Sequence, residues 1–323
     1  MRRVAALLAA ALLVVLTGCG GGGAEPGAPR GATLVLDFQP NAVHSGIYAA
    51  QANGDFKDEG IDLHIQEPST TADSAKLLEA GRADFAVMDI NDFGIARERG
   101  LDLVAIAAIV QRPLASVIAR NPTEIRTPAD LAGKTIGVTG VPSDDAVLDT
   151  VLRSGGVDPS SVHRVTIGFN AVADLAAGKV DAATGFWNAE GVELQQRGIP
   201  IREFRVDDFG APRYPELVVA TTPTTCGEVP SLLAGLRRGY GFLGERPDQA
   251  LDDLLNQVSG LDRASEEAQF EALTSADAFG GPAGETSTLN PIHERAWLSW
   301  ASRHGVISPS ARPKVSAGLG GCG

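Results

Sequence analysis

The sequence predicts an α/β protein of two similar lobes, each a mainly parallel β-sheet flanked by helices, with a ligand cleft between the lobes. Strand-like apolar runs alternate with helix-like segments almost throughout the 323 residues. The segment 78–86, LEAGRADFA, recurs as 175–183, LAAGKVDAA, and the strand and turn near 34–40 are echoed at 135–144. The repeated segments lie about one hundred residues apart, which is about the length of one lobe. This spacing favours two similar lobes over a solenoid of short repeats.

The segment 33–56 predicts a buried strand, a tight turn and a helix. Pro40 forces the turn and biases the residue before it towards an extended backbone. Asn41 is a candidate N-cap of the helix, and Gly54 is a candidate C-terminal stop. Side chains between the strand and the helix therefore gather at the carboxyl end of the sheet, where open α/β sheets bind ligands.

The rest of the first lobe continues the alternation, with predicted strands at 61–66, 83–88 and 103–110 and predicted helices at 72–80 and 91–98. The chain is expected to cross to the second lobe at 114–119 and to return at 217–220. Lobe I therefore comprises 32–115 and 220–307, and lobe II comprises 116–219. Helices are predicted after the return, at 231–244, 247–258, 265–274 and 292–304.

Residues 1–18 have the pattern of a secretory signal peptide, because Arg2 and Arg3 precede an apolar core too short to span a bilayer. The junction 16–19, LTGC, resembles the cleavage box of bacterial lipoproteins, which implies cleavage before Cys19 and lipidation of its sulfur. A glycine-rich tether then extends to residue 31. We therefore expect a lipid anchor on the outer face of the cell membrane; the alternative is an ordinary secretory signal with an incidental cysteine.

Two further cysteines, Cys226 and Cys322, lie in the mature chain. An exported protein meets an oxidising compartment, so these thiols can pair and attach the tail to the body. Two free thiols, or a tail too loose to bring them together, are the alternatives. The tail 308–323 is rich in Gly, Ser and Pro and is expected to be loose unless Cys322 anchors it. Neither cysteine spacing resembles a metal site, and no metal is expected.

The net charge of −13 makes nucleic acid and anionic lipid poor partners, because such a surface repels both. Within the two lobes, strand ends and helix starts form four patches that are expected to face the cleft. Their candidate binding residues are Asp37, Phe38, Asn41 and His44; Asp89; Pro142 and Ser143; and Phe186, Trp187 and Glu190. None of these patches contains Arg or Lys, so a buried anion would lack a counter-charge.

A neutral or amine-bearing flat ring fits this composition better. Phe38 and Trp187 can sandwich such a ring, and Glu190 can accept a hydrogen bond from an exocyclic amino group. Several residues also have a structural interpretation: Asp37 can cap the turn, and His44 can be a buried structural histidine. The pattern leaves open which of the adjacent aromatics, Phe186 or Trp187, faces the cleft.

The run 36–50, LDFQPNAVHSGIYAA, followed by 54–60, GDFKDEG, resembles the opening of the thiamine-pyrimidine family of solute-binding proteins. The resemblance implies the type II periplasmic-binding-protein fold and a receptor that serves an ABC importer. It further implies capture of a thiamine pyrimidine precursor, of the formylaminopyrimidine or hydroxymethylpyrimidine type, delivery to a membrane permease, and a monomeric chain. Phe38 replaces the Trp that is common in this family, and this leaves riboflavin, sulfonate or nitrate as rival ligands.

No enzyme motif stands out: there is no Gly-x-Ser-x-Gly elbow, Walker loop or His-Glu-x-x-His pair. The related fungal pyrimidine synthases carry a cysteine-rich motif that this chain lacks. We therefore expect a binding protein without a cofactor. The alternative from another class is an exported pyrimidine-processing enzyme that uses His44 as a base.

Overall fold

The computed structural model describes residues 28–69, 73–280, 288–320 and 322. The expected signal peptide, Cys19 and most of the expected tether lie outside this range. Lobe I contains strands β1 (Arg30–Val35), β2 (Ile61–Gln66), β3 (Phe85–Asp89), β4 (Val104–Val110) and β10 (Leu217–Thr221). Lobe II contains β5 (Ala115–Arg120), β6 (Thr135–Val138), β7 (His163–Thr166), β8 (Ala182–Phe186) and β9 (Ile201–Arg205).

The two sheets have the same strand order, β2-β1-β3-β10-β4 in lobe I and β7-β6-β8-β5-β9 in lobe II. In each sheet a single strand that follows a crossing, β10 or β5, runs antiparallel to both of its neighbours. The other strands of each sheet share one direction. The predicted fold of two mainly parallel α/β lobes is therefore confirmed.

The two crossings lie between β4 and β5, at 111–114, and between β9 and β10, at 206–216. Strand β10 belongs wholly to the lobe I sheet, where Leu217 pairs with Asp89 and Val110. The expected end of lobe II at 219 is therefore too late, and Ala115, assigned to lobe I, begins β5 of lobe II. Apolar runs reveal a strand, but only the pairing register reveals which sheet it joins.

The repeated segments 78–86 and 175–183 perform the same structural task in both lobes. Asp84 accepts a hydrogen bond of 2.8 Å from the backbone N–H of Thr33, at β1. Asp181 accepts one of 2.8 Å from the N–H of Thr135, at β6. The repeated aspartates thus fix the register of β1 against β3 and of β6 against β8, at the amino ends of β3 and β8.

Helices cover both sheets. In lobe I and its C-terminal extension they are α1 (Ser45–Ala52), α2 (Asp55–Asp58), α3 (Asp73–Glu79), α4 (Ile90–Arg99), α8 (Val229–Glu245), α9 (Pro247–Gln257), α10 (Arg263–Ser275), α11 (Pro291–Arg303) and α12 (Arg312–Ala317). In lobe II they are α5 (Pro142–Ser154), α6 (Ala171–Ala177) and α7 (Val192–Gln196). Among the described residues, no helix combines the length and apolarity needed to cross a membrane.

The tail is ordered over the described part of 308–323, so the stated exception applies: Cys322 anchors it. Helix α12 buries Val315, and the N–H of Ala105 in β4 donates to the carbonyl of Gly318 at 2.8 Å. A disulfide joins Cys226 to Cys322, with a Cα–Cα distance of 5.5 Å. Local composition could not predict this order, because the partners of the tail lie far away in the sequence.

Candidate functional site

A cavity lies between the lobes, at the carboxyl ends of β3 and β8 and at the beginnings of α4 and α5. Six of the predicted residues line it: Asp37, Phe38, Asp89, Ser143, Phe186 and Glu190. Residues outside the predicted set also line it, among them Asp92, Asp144 and Phe169. Pro142 is the first residue of α5, between Val141 and Ser143 in the chain, both of which line the cavity.

The turn after β1 holds Asp37 in place through a buried histidine. The Asn41 side chain caps the following turn by accepting from the N–H of Val43 at 3.0 Å. His44 Nδ1 accepts from the N–H of Asn41, so the ring proton lies on Nε2, which donates to Asp37 Oδ1 at 2.9 Å. Since His44 has no exposed surface, it supports Asp37 from behind and does not line the cavity.

Two phenylalanines from opposite lobes meet at the cavity. Phe38 of lobe I and Phe169 of lobe II form an edge-to-face pair with ring centroids 4.7 Å apart. Both residues also line an outer opening, where Asn41, Glu190 and Glu266 of α10 are further wall residues. The sequence analysis did not identify Phe169; the signal was an aromatic residue beside Gly168 (φ +55°), immediately after β7.

The adjacent aromatics at the end of β8 divide between the cavity and the core. Phe186 lines the cavity, whereas Trp187 is buried. The Trp187 indole N–H donates to the carbonyl of Pro113 at 3.0 Å, and its backbone N–H donates to the carbonyl of Leu114 at 3.1 Å. Trp187 therefore holds the first crossing, and of the two aromatics it is Phe186 that lines the cavity.

Lobe I contributes two carboxyl groups at the beginning of α4. Asp89 Oδ1 caps this helix by accepting from the N–H of Asn91 at 2.5 Å. Asp92 Oδ1 accepts from the hydroxyl of Ser143 in lobe II at 2.8 Å, a hydrogen bond that crosses the cleft. Asp92 follows Asp89 by three residues, so both side chains lie at the beginning of one helix.

Lobe II contributes Asp144 and Glu190. Asp144 Oδ2 accepts from the backbone N–H of Thr139 at 2.6 Å and from its hydroxyl at 2.5 Å. Glu190 Oε2 accepts from the N–H of Phe186 at 2.9 Å. This bond orients the carboxyl group of Glu190 beside the cavity aromatics, where it can accept hydrogen bonds from a ligand.

A further carboxyl, Glu216, is fully buried beside Asp89 and ties the two crossings together. Its Oε2 accepts from the N–H groups of Leu114 at 2.6 Å and Ala115 at 3.2 Å. Burial raises the pKa of Glu216 to about 7. Burial, reinforced by the charge of Glu216, raises the pKa of Asp89 well above its usual range.

Burial has the same effect on three further carboxyls of the cavity. It raises the pKa of Glu190 to about 7 and raises the pKa of Asp92 well above its usual range. The pKa of Asp144 is also raised by burial, against the effect of its hydrogen bonds from Thr139. Among the described residues that line the cavity, none is a lysine or an arginine. The described lining is therefore acidic without a basic group, and the raised pKas favour protonated carboxyls, which can donate as well as accept hydrogen bonds.

Two α/β lobes, joined by two crossings and closed over such a cavity, define a solute-binding protein. The chain belongs to the NMT1/THI5 like family, whose model matches residues 41–250.

Some relatives of this chain are named as binding proteins and others as enzymes. A formylaminopyrimidine-binding protein from Halalkalibacterium halodurans is 33% identical over 278 residues, which is 84% of this chain and 84% of the relative. A 4-amino-5-hydroxymethyl-2-methylpyrimidine phosphate synthase from Legionella pneumophila is 26% identical over 226 residues, 68% of this chain and 71% of the relative. The family thus includes proteins named for binding and proteins named for synthesis.

Solved structures share the fold at lower identity. The alkanesulfonate-binding protein SsuA from Xanthomonas axonopodis pv. citri, bound to MOPS, matches with a TM-score of 0.70 and 18% identity. The match covers 91% of this chain and 99% of that protein. At this identity the likeness supports the fold alone.

Proposed function

We propose that this protein captures an aminopyrimidine precursor of thiamine by closing its lobes, and that it delivers the ligand to an ABC permease. The observation that carries the proposal is Glu190, whose carboxyl group lies beside Phe186 in a cavity whose described lining contains no basic side chain. A carboxyl group in this position accepts the N–H of an exocyclic amino group while aromatic rings cover the faces of the pyrimidine. The name of the relative from Halalkalibacterium halodurans supports the same ligand class.

The acidic lining of the cavity also argues against a sulfonate or a nitrate ion as the ligand. A sulfonate or nitrate ion would lie among Asp89, Asp92, Asp144 and Glu190, and the described residues of the lining include no Lys or Arg to neutralise it. Transfer of an unpaired anion into such a site is costly. Riboflavin remains a chemical rival, because it is also a flat, nitrogen-rich ring.

Capture without chemical change is the role proposed here, and an enzymatic role for His44 has little support. Both ring nitrogens of His44 are engaged in hydrogen bonds, and the ring has no exposed surface. A general base must reach the proton that it removes. The proposal includes an extracytoplasmic location with lipid attachment at Cys19, which is motivated by the sequence of residues 16–19.

A thermal-shift screen of the purified protein tests this function. The ligands are N-formyl-4-amino-5-aminomethyl-2-methylpyrimidine, its hydroxymethyl analogue, riboflavin, taurine and nitrate. A ligand that binds only the folded state raises the melting temperature in proportion to the logarithm of its concentration over Kd. We expect the pyrimidines to give the largest rise and to be recovered with unchanged mass. A larger rise with taurine, nitrate or riboflavin would refute the proposed ligand, and turnover of the pyrimidine would refute the proposed role.

A further inference from the structure

One face of α5 packs against lobe I over the first turns of the helix. Ser143, Ala146, Val147 and Thr150 are spaced by three or four residues, so they lie on the same side of α5. Ser143 donates to Asp92 at the cavity, and Ala146 and Val147 belong to a buried cluster made mostly of lobe I residues. This face of α5 is therefore a surface on which lobe II closes against lobe I.

The far end of this face meets a histidine of lobe I. Thr150 Oγ1 lies 3.3 Å from Nδ1 of His304, the residue that follows α11. The Thr150 hydroxyl donates to the carbonyl of Ala146 at 2.8 Å, so its oxygen is the acceptor and His304 Nδ1 carries the donated proton. We call the hydrogen bond between Thr150 and His304 the distal contact. Neither residue lines the cavity or the outer opening, so the distal contact joins the lobes away from the ligand site.

Lobe I holds the ring of His304 in a fixed orientation. Helix α11 is attached to α4, because the indole N–H of Trp297 donates to Asn91 Oδ1 at 2.8 Å. The His304 ring stacks on Trp300 with the ring centroids 5.4 Å apart, and Trp300 stacks on Tyr214 of the second crossing with the centroids 5.5 Å apart. Because lobe I fixes the ring, opening of the lobes separates it from α5.

The surroundings of the ring oppose its protonation in the closed form. Arg303 lies on the same helix, and α5 contributes Arg153 and Asp149. Asp149 is already paired with Arg153 at 3.1 Å and with Arg164 at 2.5 Å, so little of its charge remains for the histidine. Burial, reinforced by Arg153 and Arg303, lowers the pKa of His304 from its ordinary value of 6.5. Opening of the lobes removes α5, and with it Arg153 and part of the burial.

We propose that the distal contact stabilises the closed form while the His304 ring is neutral, and that protonation of this ring favours the open form. The inference rests on the proposed function only in requiring that the lobes close on a ligand, whichever ligand that is. Because the open form takes up the proton more readily than the closed form, acid shifts the protein towards the open form. The protein therefore holds its ligand more tightly above about pH 6.5 than below it.

Calorimetry of the wild type and His304→Asn at about pH 7.5 and about pH 5.5 tests this inference, with N-formyl-4-amino-5-aminomethyl-2-methylpyrimidine as the probe. The amide N–H of asparagine can still donate to Thr150, but the side chain does not titrate. We expect acid to raise the Kd of the wild type about three- to tenfold more than that of His304→Asn, since an ordinary pKa of 6.5 in the open form limits the effect to about tenfold. The carboxyls of the cavity titrate in both proteins, so their effect cancels in this comparison. His64→Asn, on the exposed side of β2, is the control and should behave as the wild type.

A second variant tests the distal contact from lobe II. Thr150→Val removes the hydroxyl, and we expect the Kd at about pH 7.5 to rise about two- to tenfold, the effect of one hydrogen bond. Thr274→Val is the matched control, because the hydroxyl of Thr274 also donates to a carbonyl of its own helix, that of Phe270, but the residue is exposed. This control should leave the Kd unchanged.

The outcomes separate this inference from the proposed function. An equal rise of Kd with acid in the wild type and His304→Asn would overturn the role of the proton. Wild-type affinity in Thr150→Val at about pH 7.5 would overturn the role of the distal contact in closure. If the pyrimidine does not bind the wild type, the proposed ligand fails, and the same titrations with the ligand that gives the largest rise in melting temperature in the thermal-shift screen decide the inference.

Discussion

The hydroxyl of Ser143, in lobe II, donates a hydrogen bond of 2.8 Å to Asp92 Oδ1, in lobe I. Both residues line the cavity, so this bond closes the cleft beside the ligand site. The Phe38–Phe169 pair joins the lobes at the cavity, and the Gln196 side chain reaches the carbonyl of Ala264 at 2.8 Å at the outer edge. The structure is therefore the closed form, in which polar and aromatic contacts between the lobes surround the cavity.

Ser143→Ala tests the contribution of the closing bond. Loss of one hydrogen bond costs about 0.5–1.5 kcal/mol, so we expect ligand affinity by calorimetry to fall about two- to tenfold. Ser154→Ala is the matched control, because this serine of α5 donates to the carbonyl of Val151 within its own lobe. An affinity equal to that of the wild type in Ser143→Ala would show that the bond does not stabilise the closed form.

His44→Gln distinguishes a supporting histidine from a ligand contact. The change disturbs the hydrogen bonds to Asp37 and Asn41, and we expect the free energy of unfolding to fall by about 1–3 kcal/mol. The ligand Kd should rise less than about tenfold, because the ring does not line the cavity. Denaturant unfolding and calorimetry measure the two effects, and His163→Gln on the exposed strand β7 is the control. Unchanged stability with a much larger loss of affinity would identify His44 as a ligand contact.

The disulfide is expected to stabilise the fold without affecting binding. Cys226 and Cys322 are separated by 96 residues, and removal of a native disulfide that closes a long loop costs about 2–4 kcal/mol. The double variant Cys226→Ala/Cys322→Ala should therefore unfold at lower denaturant concentration and bind ligand with wild-type affinity. Reduction of the wild-type protein is the control for the substitutions. Equal stability of the oxidised, reduced and double-variant proteins would contradict this role.

The raised pKa of the Glu216 carboxyl predicts that the free energy of unfolding depends on pH. Burial raises its pKa from 4.5 to about 7, so the folded protein binds this proton more tightly than the unfolded chain does. Its stabilising contribution is fully present below about pH 4.5 and is lost as the pH rises towards about 7.

Denaturant unfolding between about pH 5 and about pH 7 measures this dependence. We expect Glu216→Gln, which can still accept from Leu114 and Ala115, to show a smaller decline in unfolding free energy with pH than the wild type. The same change at exposed Glu245 should leave the decline unaltered. Identical pH profiles for the wild type and Glu216→Gln would refute the raised pKa.

Local sequence was sufficient to predict the fold. The apolar runs, stops such as Gly54 and the repeated segments are short-range signals, and the C-terminal helices lie within two residues of their predicted ends. The structural similarity of the two lobes was also predictable from the sequence, because Asp84 and Asp181 occupy equivalent positions in the repeated segments. The ordered tail was not predictable, since its order depends on contacts with β4 and Cys226.

The site was only partly predictable, because the pattern reveals which residues lie at a strand end but not what they meet. Phe186 ends β8 and Trp187 begins the helical turn that follows, and the hydrogen bond to the carbonyl of Pro113 fixes the indole in the core. The spacing of His44 places it on a helix face but does not reveal Asp37 as its partner. Phe169 reaches the site only because the lobes close.

The central claim is that Glu190 recognises the amino group of a pyrimidine in a cavity that repels anions. Calorimetric titration of the wild type and Glu190→Gln with an aminopyrimidine tests it most directly, with Glu267→Gln on the exposed face of α10 as the control. We predict that Glu190→Gln weakens binding by about 1–3 kcal/mol and that Glu267→Gln changes nothing. Wild-type affinity in Glu190→Gln would contradict the claim.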